Sequence, residues 1–429
     1  MKLAIIGGGW AGMAAAVQAV RAGHSVEVFE VARTLGGRAR AMRTSLPNGD
    51  AVMLDNGQHI LIGAYSETLA LMKLVGVDAG KALLRLPLTL IFPDGLGLRL
   101  PRLPAPLDAV AGILGAEGWG WQDKLALLRA AAGWQWARFK CPSTATVADL
   151  CDGLTPRVMA ELVEPLCVSA LNMPAARASG QVFLRVIRDS LFAGSGGSNL
   201  LLPRTDLSAL FPQAAAAWVQ ARGARVETGH RVEAIARDGQ GWRVDGEPFD
   251  AVIIACPPWE ATRLVAQAQV DAGGWLHRAQ ALEFEAITTV YATSKARLGV
   301  PMLSLRASRA EPAQFVFDRG QLGGPRGLLA FVVSASHGER DALQAQVMAQ
   351  GLRMGLQELE PLQTVVEKRA TFACTPGLQR PQVQVAPGLL ACGDYVEGPY
   401  PATLEGAVRS AMEAVALLGP AQSTGTPAT

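Results

Sequence analysis

Three glycines near the start of the chain carry the first chemical signal. Gly7, Gly9 and Gly12 stand in the order G-x-G-x-x-G, with Trp10 and Ala11 between the last two, and an acid, Glu30, follows 18 residues after Gly12. These residue types at this spacing suit a dinucleotide. Gly7 permits a tight turn, Gly9 lets the backbone approach a pyrophosphate, and Gly12 lets a helix pack closely on a strand. The free N–H groups and positive dipole end of that helix point at the phosphates. A carboxylate at Glu30 accepts ribose hydroxyls and repels a 2′-phosphate, which favours FAD or NAD over NADP. Six residues further on, Gly36-Gly37-Arg38 supplies two residues that can run along a cofactor and a cation that can meet its phosphates. Near the other end of the chain, Gly393-Asp394 combines close backbone approach with a hydrogen-bond acceptor, and Thr403-Leu404 follows.

The elements that must position these residues are readable around them. Lys2–Ile6 is a short apolar strand, a helix follows the glycines to about Ala22, and Ser25–Glu30 alternates as a second strand. A signal peptide is the competing reading of Met-Lys and an apolar run, but three glycines break the apolar core and a second strand follows. Leu389–Cys392 reads as the strand that delivers Gly393-Asp394, and Thr403 opens a helix running to Leu418. No other G-x-G-x-x-G occurs, so one nucleotide site is expected.

The whole chain has 429 residues, beyond the ~250–300 at which one core stops growing, so two domains are expected. Half the residues are hydrophobic and 18% are charged, yet no run reaches the ~18 uninterrupted apolar residues of a membrane span. A net charge of +2 is too balanced for a nucleic-acid binder. The six cysteines show no paired spacing and read as reduced buried thiols of a cytoplasmic protein. The five histidines never fall at metal-ligand spacing, so no metal is expected.

Between the two glycine signals the chain changes character. Leu54–Ala64 places the polar Asp55-Asn56-Gly57-Gln58-His59 before an apolar run. His59 is either a hydrogen-bonded structural residue or an acid. Leu83–Leu107 holds short strands and many prolines, and Leu107–Phe139 is helical with four tryptophans. Those tryptophans fit either ordinary helix packing or a cap that touches a membrane or admits a lipid. Thr146 or Asp149, and Thr155-Pro156, open two helices up to Asn172. Gly194–Arg204 reads as a flexible loop, Val232–Ala236 and Trp242–Val244 as a hairpin, Phe249–Ala255 as a buried strand, and Ala342–Leu359 as a helix.

The order G-x-G-x-x-G, Glu30, then Gly36-Gly37-Arg38 resembles the FAD-dependent amine oxidase and phytoene desaturase superfamily. The resemblance decides FAD over NAD. It implies an α/β fold with a discontinuous Rossmann-like FAD-binding domain (1–80, 215–265 and 375–420) and a mixed-sheet and helical substrate domain (81–214 and 266–374), followed by a disordered tail at 421–429. It also implies that Gly57, Gln58 and His59 pass beside the flavin, that the backbone at Val232 meets the adenine, and that Asp394 accepts from the ribityl chain. The helix at Thr403-Leu404 would point its dipole at the flavin pyrimidine ring.

LDNGQHILIGAY (Leu54–Tyr65), EPLCVSALN (Glu164–Asn172) and LLACGDYVEGPYPATLEGAV (Leu389–Val408) are similar to a narrower family, the hydroxysqualene dehydroxylases of bacterial hopanoid synthesis. This resemblance runs over nearly the whole chain. It implies reductive removal of an allylic hydroxyl: hydroxysqualene and reduced flavin give squalene, water and oxidised flavin. His59, Tyr400 and Glu397 are the candidate proton donors. The partners expected are a polyprenyl lipid substrate, an unidentified reductant and synthases of the squalene and phytoene type; the tryptophan-rich cap adds peripheral contact with the inner face of a membrane as one of its two readings. A carotenoid-type desaturase is the alternative. An amine oxidase is less favoured, because four tyrosines supply an aromatic cage poorly. A non-catalytic prenyl-binding protein of this fold is the third reading.

Overall fold

Lys2–Ile6 pairs in parallel with Ser25–Glu30 on one side and with Ala251–Ile254 on the other. The computed structural model describes residues 1–192 and 194–420, so the tail expected at 421–429 lies outside the described residues. The central sheet has six strands, ordered Arg225–Thr228, Ser25–Glu30, Lys2–Ile6, Ala251–Ile254, Leu389–Ala391 and Gln384–Ala386. Only the last pair is antiparallel. Ile6 and Ile254 lie side by side and the chain at Cys392 continues this row, since its N–H bonds the Ile254 carbonyl at 2.9 Å. The turn after the first strand and the turn after Leu389–Ala391 therefore open at the same sheet edge, where parallel α/β sheets bind ligands.

The helices Trp10–Arg21 and Leu404–Leu418 pack against each other across this sheet. Trp10–Arg21 is rich in alanine, and most of its residues are buried.

A second sheet of five antiparallel strands is ordered Met302–Ser304, Phe315–Asp318, Leu328–Ser334, Phe284–Thr293 and Glu360–Phe372. Glu360–Phe372, its longest strand, has no counterpart in the sequence reading, because its residues do not alternate cleanly: most are half-buried, with no regular apolar face. The expected helix Ala342–Leu359 runs instead over Arg340–Arg353. The hairpin strand expected at Val232 begins only at Ile235.

The cap lies over the second sheet. Leu107–Phe139 divides into helices Leu107–Leu114 and Trp121–Trp136. Thr146 and Thr155 cap helices through their hydroxyls, as their positions predict. Met159–Val163 winds as a π-helix just before Pro165, whose missing N–H cannot bond back into the preceding turn. Gly194–Arg204 is not a free loop. Leu200–Pro203 pairs with Leu61–Ile62 and Leu83–Leu86, and a Cβ on Gly63 would stand 1.8 Å from the Gly196 carbonyl oxygen.

Candidate functional site

The glycine turn is packed as tightly as backbone allows. A Cβ on Gly12 would lie 1.8 Å from the Gly7 carbonyl oxygen. One on Gly7, whose φ is +118°, would lie 2.8 Å from Ala255 backbone. Gly9 differs, since its nearest neighbour would be Gly37 Cα at 3.7 Å, an ordinary contact. Its missing side chain matters to the cavity above it rather than to the fold. Gly36 N–H donates to the Gly8 carbonyl at 3.0 Å, so the two glycine segments lie together. Trp10 braces the start of the helix by donating its indole N–H to Ala39 O at 3.2 Å, and Ala11 lines the cavity next to it.

Glu30 is buried at the end of its strand and has both oxygens engaged. Oε2 accepts Gly8 N–H at 2.6 Å and Oε1 accepts Ala32 N–H at 2.8 Å. Each oxygen keeps a second lone pair, so bracing the turn and accepting a ribose hydroxyl are compatible.

One cavity of about 590 Å³ joins these residues to the far end of the chain. Gly7, Gly9, Glu30, Gly36, Gly37 and Arg38 line it together with Gly57, Gln58, His59 and Val232, and with Gly393, Asp394, Thr403 and Leu404. Val232 is buried, and its carbonyl accepts from Arg263 Nη2 at 2.8 Å. Arg38 and Asp394 form an ion pair, and Arg38 also donates to Ala370 O at 2.8 Å. Both are expected to meet a cofactor, and each also holds the other. Gly393 must be glycine, because a Cβ would stand 2.7 Å from the Tyr395 ring. Thr403 caps the last helix by accepting Gly406 N–H at 2.9 Å, which turns the positive end of that helix toward the cavity.

The three candidate proton donors fare differently. His59 lines the cavity, and its Nδ1–H donates to the Gly57 carbonyl at 2.8 Å. That carbonyl only accepts, so it fixes the tautomer. Burial above all, with Arg38 beside it, holds the imidazole below its ordinary pKa, despite the opposing Gly57 bond. A neutral His59 has its one proton committed to Gly57 and offers Nε2 as an acceptor, the hydrogen-bonded arrangement that is one of its two readings. Tyr400 and Glu397 are not among the cavity's lining residues. The Tyr400 hydroxyl donates to Asp189 Oδ2 at 2.8 Å, and the Glu397 side chain is 60% exposed. Arg380 braces the loop that holds them, its guanidinium donating to the carbonyls of Val396 and Gly398.

Four lining residues escaped the sequence reading. Asn56 Oδ1 accepts Arg40 N–H at 3.1 Å, but its Nδ2 is buried without a partner, as is the Tyr395 hydroxyl. Asn172 is left-handed at φ +52° and ties the cap to the second sheet, donating to Thr371 Oγ1 at 3.0 Å and accepting Ala335 N–H at 2.6 Å. Tyr65 faces the cavity beside Thr403 and Leu404. All four fall inside the quoted family segments, and polar type within those segments was the available signal.

These residues fit a flavin nucleotide. A Cβ on Gly9 would stand in the open space of the cavity, Glu30 suits a ribose, and two buried polar groups on the wall lack partners of their own. Beyond them Ile60, Val168, Ile287, Phe315, Phe317 and Val332 give the wall an apolar part, with Asn172, Ser334 and Thr371 at its margin.

Comparison with known proteins agrees. The model of the flavin containing amine oxidoreductases matches residues 10–418. The chain is 28% identical over 459 residues to a hydroxysqualene dehydroxylase of Rhodopseudomonas palustris, covering 96% of this chain and 97% of that one. To the hydroxysqualene dehydroxylase of Sinorhizobium fredii it is 27% identical over 445 residues, with 96% and 97% covered. Among solved structures, an oxidoreductase from Methanosarcina mazei superposes with a TM-score of 0.72 at 17% identity, covering 96% of this chain and 99% of that one. The chain belongs to the flavin containing amine oxidoreductases, as an FAD-dependent oxidoreductase similar over nearly its whole length to hydroxysqualene dehydroxylases.

Proposed function

We propose that this protein reduces an allylic polyprenyl alcohol, with hydroxysqualene as substrate and squalene and water as products. The observation that carries this reading is the continuity of one cavity that runs from the polar glycine turn to the apolar side chains Ile287, Phe315, Phe317 and Val332 of the second sheet. An apolar wall suits a polyprene, whose burial is worth about 0.8 kcal/mol per CH₂. When bound, FAD supplies the reducing hydride.

The remaining tasks fall to the chain. Apolar side chains hold the polyprene and exclude water, which would otherwise recapture the allylic cation left when the C–O bond breaks. A donor must meet the leaving oxygen as negative charge develops there. We assign this to Tyr65, which lines the cavity where Tyr400 does not. Burial raises the Tyr65 pKa, so the phenol stays protonated through the neutral range. Association with the synthase that supplies the alcohol belongs to the same proposal.

The test is product analysis under anaerobic conditions. Dithionite-reduced protein given hydroxysqualene should yield squalene, and Tyr65→Phe should slow this about 10²-fold with unchanged flavin content. New double bonds in phytoene supplied to the oxidised protein, with hydroxysqualene untouched, would instead identify a desaturase.

A further inference from the structure

The cap helix Trp121–Trp136 has sixteen residues, of which only Leu127 is buried. A surface helix ordinarily turns one apolar stripe to the core and a polar face to water. This helix is apolar on two sides. Leu127, Ala131 and Trp134 line a second cavity of about 70 Å³, enclosed by apolar side chains beneath the cap. At 3.6 residues per turn, Trp121, Leu125, Ala132 and Trp136 fall in one arc on the other side. Trp121 is 70% exposed and Trp136 93%. The neighbouring helix Leu107–Leu114 packs against this one and exposes Leu107, Val110 and Leu114, again at one-face spacing. More than half of the exposed large apolar side chains among the described residues lie between Leu96 and Trp136.

The charges around this face have one dominant sign. Arg99, Arg102, Arg129, Arg138 and Lys140 are exposed. Of the acids between 99 and 140, Asp108 is buried, and Asp123 is occupied accepting Gly120 N–H at 2.9 Å and the Thr155 hydroxyl at 2.5 Å. Only Glu117 stays exposed among them. Exposed apolar area of this extent marks an interaction surface. Tryptophan beside basic side chains suits the boundary between headgroups and acyl chains of an anionic bilayer.

We propose that Leu107–Leu114 and Trp121–Trp136 form a docking surface for a bilayer containing anionic lipid, lying in its interface with Trp121 and Trp136 inserted. No helix among the described residues is long and apolar enough to cross a membrane, so the contact is in-plane. The inference rests on exposure and charge and does not depend on which substrate the flavin site reduces.

Flotation of the flavin-loaded protein with phosphatidylcholine vesicles, with and without phosphatidylglycerol, tests it. Binding should require the anionic lipid and weaken with added salt. The triple substitution Trp121→Ser, Leu125→Ser, Trp136→Ser should lower partitioning at least ~10-fold while flavin content stays unchanged. In the unsubstituted protein, brominated lipid should quench tryptophan fluorescence, a readout that needs no variant. The proposal fails if the protein does not float with anionic vesicles, if the triple variant binds as well, or if light scattering shows a dimer that the same substitutions dissolve. That last outcome would assign the face to a second copy of the chain.

Discussion

Arg38 and Asp394, 356 residues apart in sequence, are joined as an ion pair on the wall of the flavin cavity. The pair locks the end of the first glycine signal to the start of the second. It adds a side-chain tie to the strand pairing and helix packing that already join the two ends of the chain at the site. Asp394 keeps a second carboxylate oxygen for a ligand.

Breaking this pair should loosen the site before it unfolds the protein. Arg38→Met should cost about 1.5–3 kcal/mol, the worth of a hydrogen bond between charged groups. The 3–5 kcal/mol of a fully buried pair does not apply, because the Arg38 side chain keeps 27% exposure. Urea denaturation of Arg38→Met, Asp394→Asn and the double variant should give a coupling energy well above zero. Additive effects would show that the two residues act independently.

Gly12 and Gly9 should separate fold from cofactor. Gly12→Ala drives a Cβ to within 1.8 Å of the Gly7 carbonyl, so the apo protein itself should lose stability. Gly9→Ala meets only an ordinary 3.7 Å contact, so apo stability should change by no more than about 0.5 kcal/mol while flavin affinity drops. Thermal melts of apo protein and fluorescence titration with FAD distinguish the two. Equal loss of apo stability in both would contradict the geometry.

His59 should titrate below the ordinary imidazole value, because burial and Arg38 both oppose its charge. A neutral imidazole whose Nδ1–H is held by Gly57 is expected not to act as the acid of the reaction. Histidine NMR should place its midpoint below 6.5. His59→Gln should leave the shape of the pH–rate profile unchanged. A falling limb near pH 6–7 that the substitution removes would restore His59 as proton donor.

Asp55 should make the fold pH-sensitive. Burial pushes its pKa from 3.8 up to about 6, against the Leu207 N–H bond at 2.8 Å that favours the charged form. A raised folded-state pKa stabilises below the unfolded value, and that contribution disappears as pH rises through about 6. The difference corresponds to at most about 3 kcal/mol. Asp55→Asn should therefore melt higher than the unsubstituted protein at pH 7.5 and alike at pH 4. The opposite order at pH 7.5 would mean that the carboxylate is stabilised.

The nucleotide half was legible because its chemistry is local. Three glycines, an acid and two strands within 30 residues leave the backbone little choice, and the structure follows them residue by residue. Gly393-Asp394 was legible for the same reason. Contacts made at long range were not. Nothing in Tyr400 says that its hydroxyl will be taken by Asp189, 211 residues away, and Arg38 gives no sign of a partner 356 residues on. Glu360–Phe372 lacked the alternation that marks strands, because its faces are half-buried rather than divided into core and solvent. Asn56 and Tyr395 were visible only as polar types near motifs, and what marks them is an unsatisfied hydrogen bond inside a folded wall.

Anaerobic stopped-flow mixing of the fully reduced flavoprotein with hydroxysqualene asks the central question most directly. Flavin absorbance should return in a single turnover, with one squalene formed per flavin oxidised. A flavin that stays reduced, or one that reoxidises without squalene appearing, would contradict the proposed reduction.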